Sequence, residues 1–249
     1  MEPTLRWHDD DLFWESNAAK MFTEQAWANA SLEIERVLAL SGLQPGAAML
    51  DLGCGPGRHS LELGRRGFAV TGVDRTAAYL EIAQKKAAEE GLQIEFVQAD
   101  MRTFRRPEAF DGAVSLFTTF GYFEDPSENA RVLANLAASL KPGGRLVMDM
   151  AGKEVIARIF LPNNWQEQDG VLYLEERKIS QDWSWIENRW IVVKDGERRD
   201  FVLRHWLYSG GELRRMLLEN GFSEVKIYGS LEGIPYDNEA KRLVAVAMK

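Results

Sequence analysis

The chain predicts an α/β fold built on a doubly wound parallel sheet, and three observations carry that expectation. Short apolar runs alternate with amphipathic stretches between residues 47 and 150, the pattern of strand–helix–strand units. Glycines stand where the helices should stop: Gly67 after Arg65-Arg66, Gly91 after Glu89-Glu90, and Gly143 after Lys141-Pro142. A glycine with basic residues before it suits a helix C-terminus, because it takes the left-handed cap and the cations meet the negative end of the dipole. Finally, the run Ala47-Ala48-Met49 enters the glycine-rich turn LDLGCGPGRHS, and parallel sheets bind ligands beyond the C-terminal ends of their strands.

In chain order, residues 17–40 read as one or two helices, with Ala18, Met21, Phe22, Ala26, Ile34, Val37 and Leu38 at helical spacing. Strands are expected at Ala47–Leu52, Ala69–Asp74, Gln93–Gln98, Gly112–Phe117 and Arg145–Met150. Helices are expected between them at Arg58–Arg66, Ala77–Glu90 and Ser127–Leu140. After Met150 the pattern changes to three antiparallel strands, VLYLEERKISQ, WSWIENRWIVV and RRDFVLRHWLY, the last two joined through Asp195-Gly196, a strong hairpin signal. A helix at Gly211–Asn220 and strands at Glu224–Tyr228 and Leu243–Met248 close the chain. The organisation is thus 1–44, a helical N-terminal segment; 45–150, the ligand-binding core; 151–208, an antiparallel β insertion; and 209–249, the last helix and strands of the core.

Composition excludes several classes. The 249 residues carry a net charge of −8, which disfavours a long phosphate-tracking surface and hence a nucleic-acid partner. A single cysteine, Cys54, rules out an intramolecular disulfide and a multi-cysteine metal site. No apolar run reaches the ~20 residues of a membrane span. With no secretory signal in MEPTLRWHDDDLFWES, a cytoplasmic location is expected.

The glycine loop has the spacing Gly53-x-Gly55-x-Gly57, not the G-x-G-x-x-G of dinucleotide sites. Asp51 at the strand's mouth would repel a pyrophosphate and attract an ammonium group. Asp74, 21 residues after Gly53, stands where a carboxylate can accept hydrogen bonds from both ribose hydroxyls. Asp100 could accept from an adenine amine while Met101 covers the ring. Ammonium, ribose and adenine in that order describe S-adenosylmethionine. An NAD-dependent oxidoreductase is disfavoured by Asp51 and by the loop spacing.

The motifs LDLGCGPGRHS, VTGVDRT, FVQADM, FDGAVSLFTTFGYF and LKPGGRLVMDM, in this order and spacing, resemble those of class I S-adenosylmethionine-dependent methyltransferases, small-molecule branch. The resemblance covers about residues 45–150 and a plausible ending from 209. It implies a Rossmann-like seven-stranded sheet with its last strand antiparallel, and S-adenosylhomocysteine as product. It further implies cofactor contacts at Asp51, Gly53, Cys54, Gly55, Asp74, Arg75, Asp100, Met101 and Phe117. In this family the N-terminal helices often form a lid, which makes Trp7, Phe13, Trp14 and Phe22 candidates for closing the pocket. The loop after the fourth strand lines the acceptor site, so Phe117, Thr118, Phe120 and Tyr122 join Phe13 and His205 as acceptor-site candidates; plain packing is the competing role for Phe120 and Phe123.

His59 reads as facing neighbouring strands and His205 as a half-buried structural histidine before a base; no catalytic base is assigned. Asp9-Asp10-Asp11 reads as a helix start that could also attract a cationic amine. Trp183, Trp185, Trp190 and Trp206 read as cross-strand packing on the insertion, which could cover the acceptor, and whose exposed edges could pair two copies into a homodimer. The expected activity is methyl transfer to a small molecule, at nitrogen before oxygen; a non-catalytic adenosyl-ligand binder and an RNA methyltransferase stay open as alternatives.

Overall fold

The computed structural model describes residues 6–249. A short 3-10 turn, Trp7–Asp9, leads into helices α1 (Asp11–Met21) and α2 (Glu24–Ser41). Asp10 caps α1 by accepting from the Leu12 amide at 3.0 Å, and Thr23 caps α2 by accepting from Ala26 at 3.2 Å. The chain then alternates β1 (Ala48–Leu52), α3 (Arg58–Arg65), β2 (Ala69–Asp74), α4 (Ala77–Glu89), β3 (Ile94–Gln98), β4 (Phe110–Ser115), α5 (Pro126–Ser139) and β5 (Leu140–Met150). Helix α6 (Lys153–Ile159) introduces β6 (Asn163–Gln168), β7 (Val171–Ser180), β8 (Trp185–Lys194) and β9 (Glu197–Trp206); α7 (Gly210–Glu219), β10 (Glu224–Tyr228) and β11 (Leu243–Met248) finish the chain.

The main sheet has seven strands in the order β10-β11-β5-β4-β1-β2-β3. Only the pairings of β11 are antiparallel. Its two faces are read from the strand alternation. Leu50, Leu52, Leu146 and Met148 pack with α5 and α7 on one side, while Met49, Val147, Val244 and Val246 pack with Ile34 and Val37 of α2 and Leu63 of α3 on the other. The four-stranded antiparallel sheet β6-β7-β8-β9 stands apart from it.

Four expectations change. The helix expected to run to Leu140 stops at Ser139, and Gly143 lies in β5 rather than at a helix end; Pro142 lacks a donor and pushes Lys141 toward extended backbone, so the chain turns directly into strand. The fourth strand ends at Ser115, and Phe117 and Thr118 sit in left-handed backbone (φ 63° and 64°). Trp183, with φ 65°, occupies the β7–β8 turn, 42% exposed against Phe160, and takes no part in cross-strand packing. The insertion has a fourth strand, β6, whose sequence NNWQEQ is exposed throughout; an edge strand that buries nothing leaves no alternation to read.

Candidate cofactor and acceptor site

Where the strands β1, β2 and β4 end, the chain encloses a cavity of about 620 Å³. Its floor is the loop from Gly53 to Gly57. Gly53, Gly55 and Gly57 all have positive φ (77°, 55° and 85°), a backbone only glycine adopts without strain. The amides of Gly53 and Cys54 both donate to the Val73 carbonyl, at 2.8 and 3.0 Å, which ties the loop to the end of β2. Asp74 completes that tie: its carboxylate accepts from Gly55 N at 2.8 Å and from Thr76 N at 2.9 Å. Burial pushes the Asp74 pKa up against the pull of those amides; with one amide on each oxygen, lone pairs remain for further donors.

Gly53, Cys54, Gly55, Asp74, Arg75, Asp100, Met101 and Phe117 all wall the cavity. Asp51 does not. Its carboxylate lies 2% exposed behind the loop, accepting from Ser60 Oγ at 2.6 Å, with its pKa raised by burial. The structure thus places it outside the cavity wall, where the sequence suggested a contact. The Cys54 thiol is buried too, its pKa pushed well up by burial and by the charges of Asp51 and Asp74. Arg75 serves the N-terminal segment, donating to Asp11 at 2.9 Å and to the Asp9 carbonyl at 2.6 Å. Burial alone would raise the Asp100 pKa, but the Arg102 guanidinium, bonded to both its oxygens at 3.0 Å, holds it below the usual range.

The N-terminal segment forms the roof. Trp7, Phe13, Trp14 and Phe22 all wall the cavity. Trp7 packs edge-on against Tyr122 (4.8 Å) and Phe13 (5.3 Å) and donates its indole N–H to the Arg204 carbonyl at 2.9 Å. Phe13 reaches Trp190 and Phe201 of the insertion at 5.9 and 5.7 Å. Phe22 covers the glycine loop so closely that a Cβ on Gly55 would stand 3.0 Å from its ring. The three aspartates are engaged within the protein: Asp10 caps α1, Asp11 pairs with Arg75, and Asp9 lies between Arg6, Arg75 and Arg102.

Of the acceptor candidates, Phe13, Phe117, Thr118, Tyr122 and His205 wall the cavity. Phe120 is 2% exposed in the main core against Tyr208, outside the cavity wall, so packing is its role, as it is for the 4% exposed Phe123, which also touches the cavity. The strained loop is held by Asp149 at the end of β5. Its side chain accepts from Phe117 N at 3.2 Å and from Arg242 at 2.8 and 3.0 Å, while Arg242 also donates to Thr118 Oγ1 at 3.0 Å. Phe117 is thereby half exposed to the cavity, with the Arg58 guanidinium 4.7 Å and that of Arg242 6.0 Å from its ring centre.

His59 faces the N-terminal helix α2 instead of a strand: its Nε2 lies 2.7 Å from Glu33, which also takes Arg58. Trp185 and Trp206 pair across β8 and β9 at 5.1 Å as expected, and Trp190 stands opposite Phe201 across the same strands while also walling the cavity. Sequence reasoning missed Arg58, Tyr79, Arg177, Asn188 and Arg242 among the wall residues. For the Arg242 clamp a signal existed, since Asp149 ends its strand region as Asp51 and Asp74 end theirs. The others come from helix and sheet faces with no local motif.

The residues fit S-adenosylmethionine. Arg58, 3% exposed, carries a buried Nη2 without a partner, an unmet donor that suits the carboxylate of the cofactor's methionine end. Asp74 can take the ribose hydroxyls, and Asp100 with Met101 stands where the adenine would lie.

Residues 49–144 match the family model described as "Methyltransferase domain". A chain of Geobacillus sp. (strain WCH70) named as a methyltransferase is 26% identical over 95% of this chain and 97% of its own. The carboxy-S-adenosyl-L-methionine synthase of Wolinella succinogenes is 30% identical over 79% of this chain and 77% of its own. Among solved structures, the sugar N-methyltransferase KedS8 from Streptoalloteichus superposes with a TM-score of 0.69 at 23% identity, covering 94% of this chain and 92% of that one. With its sheet order, its glycine loop and these relatives, the chain belongs to the class I S-adenosylmethionine-dependent methyltransferases.

Proposed function

We propose that this methyltransferase acts on a small molecule and places the methyl group on nitrogen. The observation that carries the reading is the enclosure of the cavity. The N-terminal aromatics and the insertion sheet meet over the strand ends, leaving about 620 Å³, within the range of a small-ligand pocket of ~300–1,000 Å³. That volume suits a cofactor with a modest acceptor. The net charge of −8 points the same way. The fold of the sugar N-methyltransferase KedS8 superposes over 94% of this chain.

Nitrogen is favoured because a neutral amine needs little activation. Attack on a sulfonium methyl is an in-line displacement that orientation and water exclusion accelerate, in favourable cases by ~7–11 kcal/mol. An alcohol needs a competent base. His205 has no carboxylate partner among its hydrogen bonds, and burial lowers its pKa, so it is a weak base for a hydroxyl. Bound S-adenosylmethionine supplies the electrophilic methyl; the chain's part is to hold it through Asp74 and Arg58, to keep water out with Trp7, Phe13 and Trp14, and to orient the acceptor.

Calorimetric titration with S-adenosylhomocysteine, with NAD as control, tests the cofactor half. Micromolar binding of the former alone is expected. Asp74→Ala removes two charge-assisted acceptor positions, each worth ~1.5–3 kcal/mol, and should weaken binding by a few kcal/mol; unchanged affinity would sink the assignment. Methyl transfer screened against amines, sugars and phenols then tests the acceptor half, and turnover confined to phenols or to RNA would overturn it.

A further inference from the structure

The insertion sheet carries polar groups toward the cavity that neither the fold nor the cofactor accounts for. Asn188 on β8 is 9% exposed, walls the cavity, and has an Oδ1 that is buried without a hydrogen-bond partner. An orphaned buried carbonyl is costly to keep, so such a group in a binding cavity points to a ligand that satisfies it. His205 on β9 is 8% exposed and also walls the cavity. Its Nδ1 lies 3.0 Å from the Trp206 carbonyl. A carbonyl can only accept, so Nδ1 bears the proton and Nε2 offers a lone pair, unpaired among the described residues.

The sheet register puts these two acceptors together. Asn188 pairs with Leu203 and Ile186 with His205, which makes Asn188 and His205 diagonal neighbours on one face, ~7–8 Å apart at the backbone. Directly beside Asn188 in the register is Arg177 of β7, which also walls the cavity. Arg177 and Lys20 share one carboxylate, Glu175, so this end of the cavity carries one cation in excess.

We infer that this face of the insertion is the acceptor subsite, where Asn188 Oδ1 and His205 Nε2 receive N–H groups of an uncharged amine while the Arg177 side excludes cationic acceptors. The inference rests on the methyl-transfer reading and deepens it. Two N–H bonds held by two acceptors leave the nitrogen lone pair as the only free direction, turned from the sheet toward the cofactor half. The lone pair forms the N–C bond as the S–C bond breaks, the electron pair stays on sulfur, and the methylated nitrogen sheds its proton to water on release. By this scheme His205 and Asn188 are both specificity residues, which select the acceptor by its N–H groups.

Three probes of one shape test it by calorimetry on protein saturated with S-adenosylhomocysteine: aniline, N,N-dimethylaniline and phenyltrimethylammonium. Aniline should bind about tenfold or more tightly than N,N-dimethylaniline, the value of one well-placed hydrogen bond, with the trimethylammonium ion weakest. Asn188→Leu should erase the preference and Asn188→Asp, which keeps an acceptor oxygen, should retain it. His205→Leu should weaken aniline binding, and His205→Gln, which restores an acceptor, should recover it. Thermal melting of each variant separates a lost subsite from a lost fold, and S-adenosylhomocysteine affinity should hold throughout. Equal binding of the three probes, no aniline binding to the saturated protein, or an Asn188→Leu variant with the preference intact would overturn the inference. Failure to take up S-adenosylhomocysteine would instead overturn the cofactor reading on which it rests.

Discussion

Replacing Asp149 by alanine tests how the acceptor loop is held. Asp149 has a side chain only 8% exposed and carries three bonds: two from Arg242, at 2.8 and 3.0 Å, and one from the Phe117 amide at 3.2 Å. Removing one partner of a buried ion pair costs ~3–5 kcal/mol because the other charge is left stranded. Arg242, however, is one-third exposed and can recover part of its hydration. The loss of the amide's acceptor adds ~1 kcal/mol, while release of the left-handed backbone at Phe117 and Thr118 returns ~1–3 kcal/mol for each relaxed residue. With one of the two residues relaxing and returning ~2 kcal/mol, the balance for Asp149→Ala is a destabilisation of ~2–4 kcal/mol, toward the lower end as Arg242 rehydrates. Arg242→Met should cost at least as much, since it strands a carboxylate that is the more deeply buried partner. The double variant should lose less than the sum of the two, by about 2 kcal/mol of coupling. Urea unfolding gives all four corners of the cycle, each single variant moving the midpoint by about 1 M at a slope of ~2–3 kcal/mol/M. Because Phe117 walls the cavity, affinity for S-adenosylhomocysteine should fall together with loop order. Strictly additive losses, or a single-variant cost below ~1 kcal/mol, would refute the clamp.

Two further outcomes follow from burial. Cys54, the only cysteine, is 6% exposed with its thiol pKa pushed up, so a thiol-specific chromogenic reagent should detect no thiol in the native protein and one after urea unfolding; prompt native labelling would contradict the packing of the loop. His205 has its pKa lowered by burial from the ordinary 6.5, so below pH 6.5 the unfolded chain binds more protons than the folded one. Its contribution to stability is complete above about pH 7.5 and declines as pH falls through 6.5 toward the lowered value. Urea midpoints taken from pH 8 down to 5.5 should therefore fall, less steeply in His205→Gln, with His8, similarly shifted by burial, supplying part of the remaining slope.

Much of the core was legible because its signals are local. Short apolar runs placed Ala69–Asp74 and Leu243–Met248 at their observed bounds, since both strands are buried on both faces and read as continuous apolar segments, and the edge strand Glu224–Tyr228 was placed by its alternation. The glycine loop and Asp74 were legible for the same reason: positive φ and a strand-end carboxylate are properties of a short segment. The limits of the fourth strand were not, because Phe117 and Thr118 favour extended backbone by type and are bent into the left-handed region by Asp149 and Arg242.

The sequence by itself determined the α/β class, the glycine loop with the strand-end carboxylate Asp74, and the presence of an antiparallel insertion. Only the tertiary structure decided that Asp51 stands behind the loop, that Phe120 belongs to the core, and that Arg58, Asn188, His205 and Arg242 meet around one cavity. The physical reason is range. Backbone conformation and strand burial are set within a few residues. The cavity wall is built by side chains from α3, β8, β9 and the segment before β11, up to 184 positions apart along the chain, and their juxtaposition follows from sheet register and the packing of the N-terminal aromatics on the insertion.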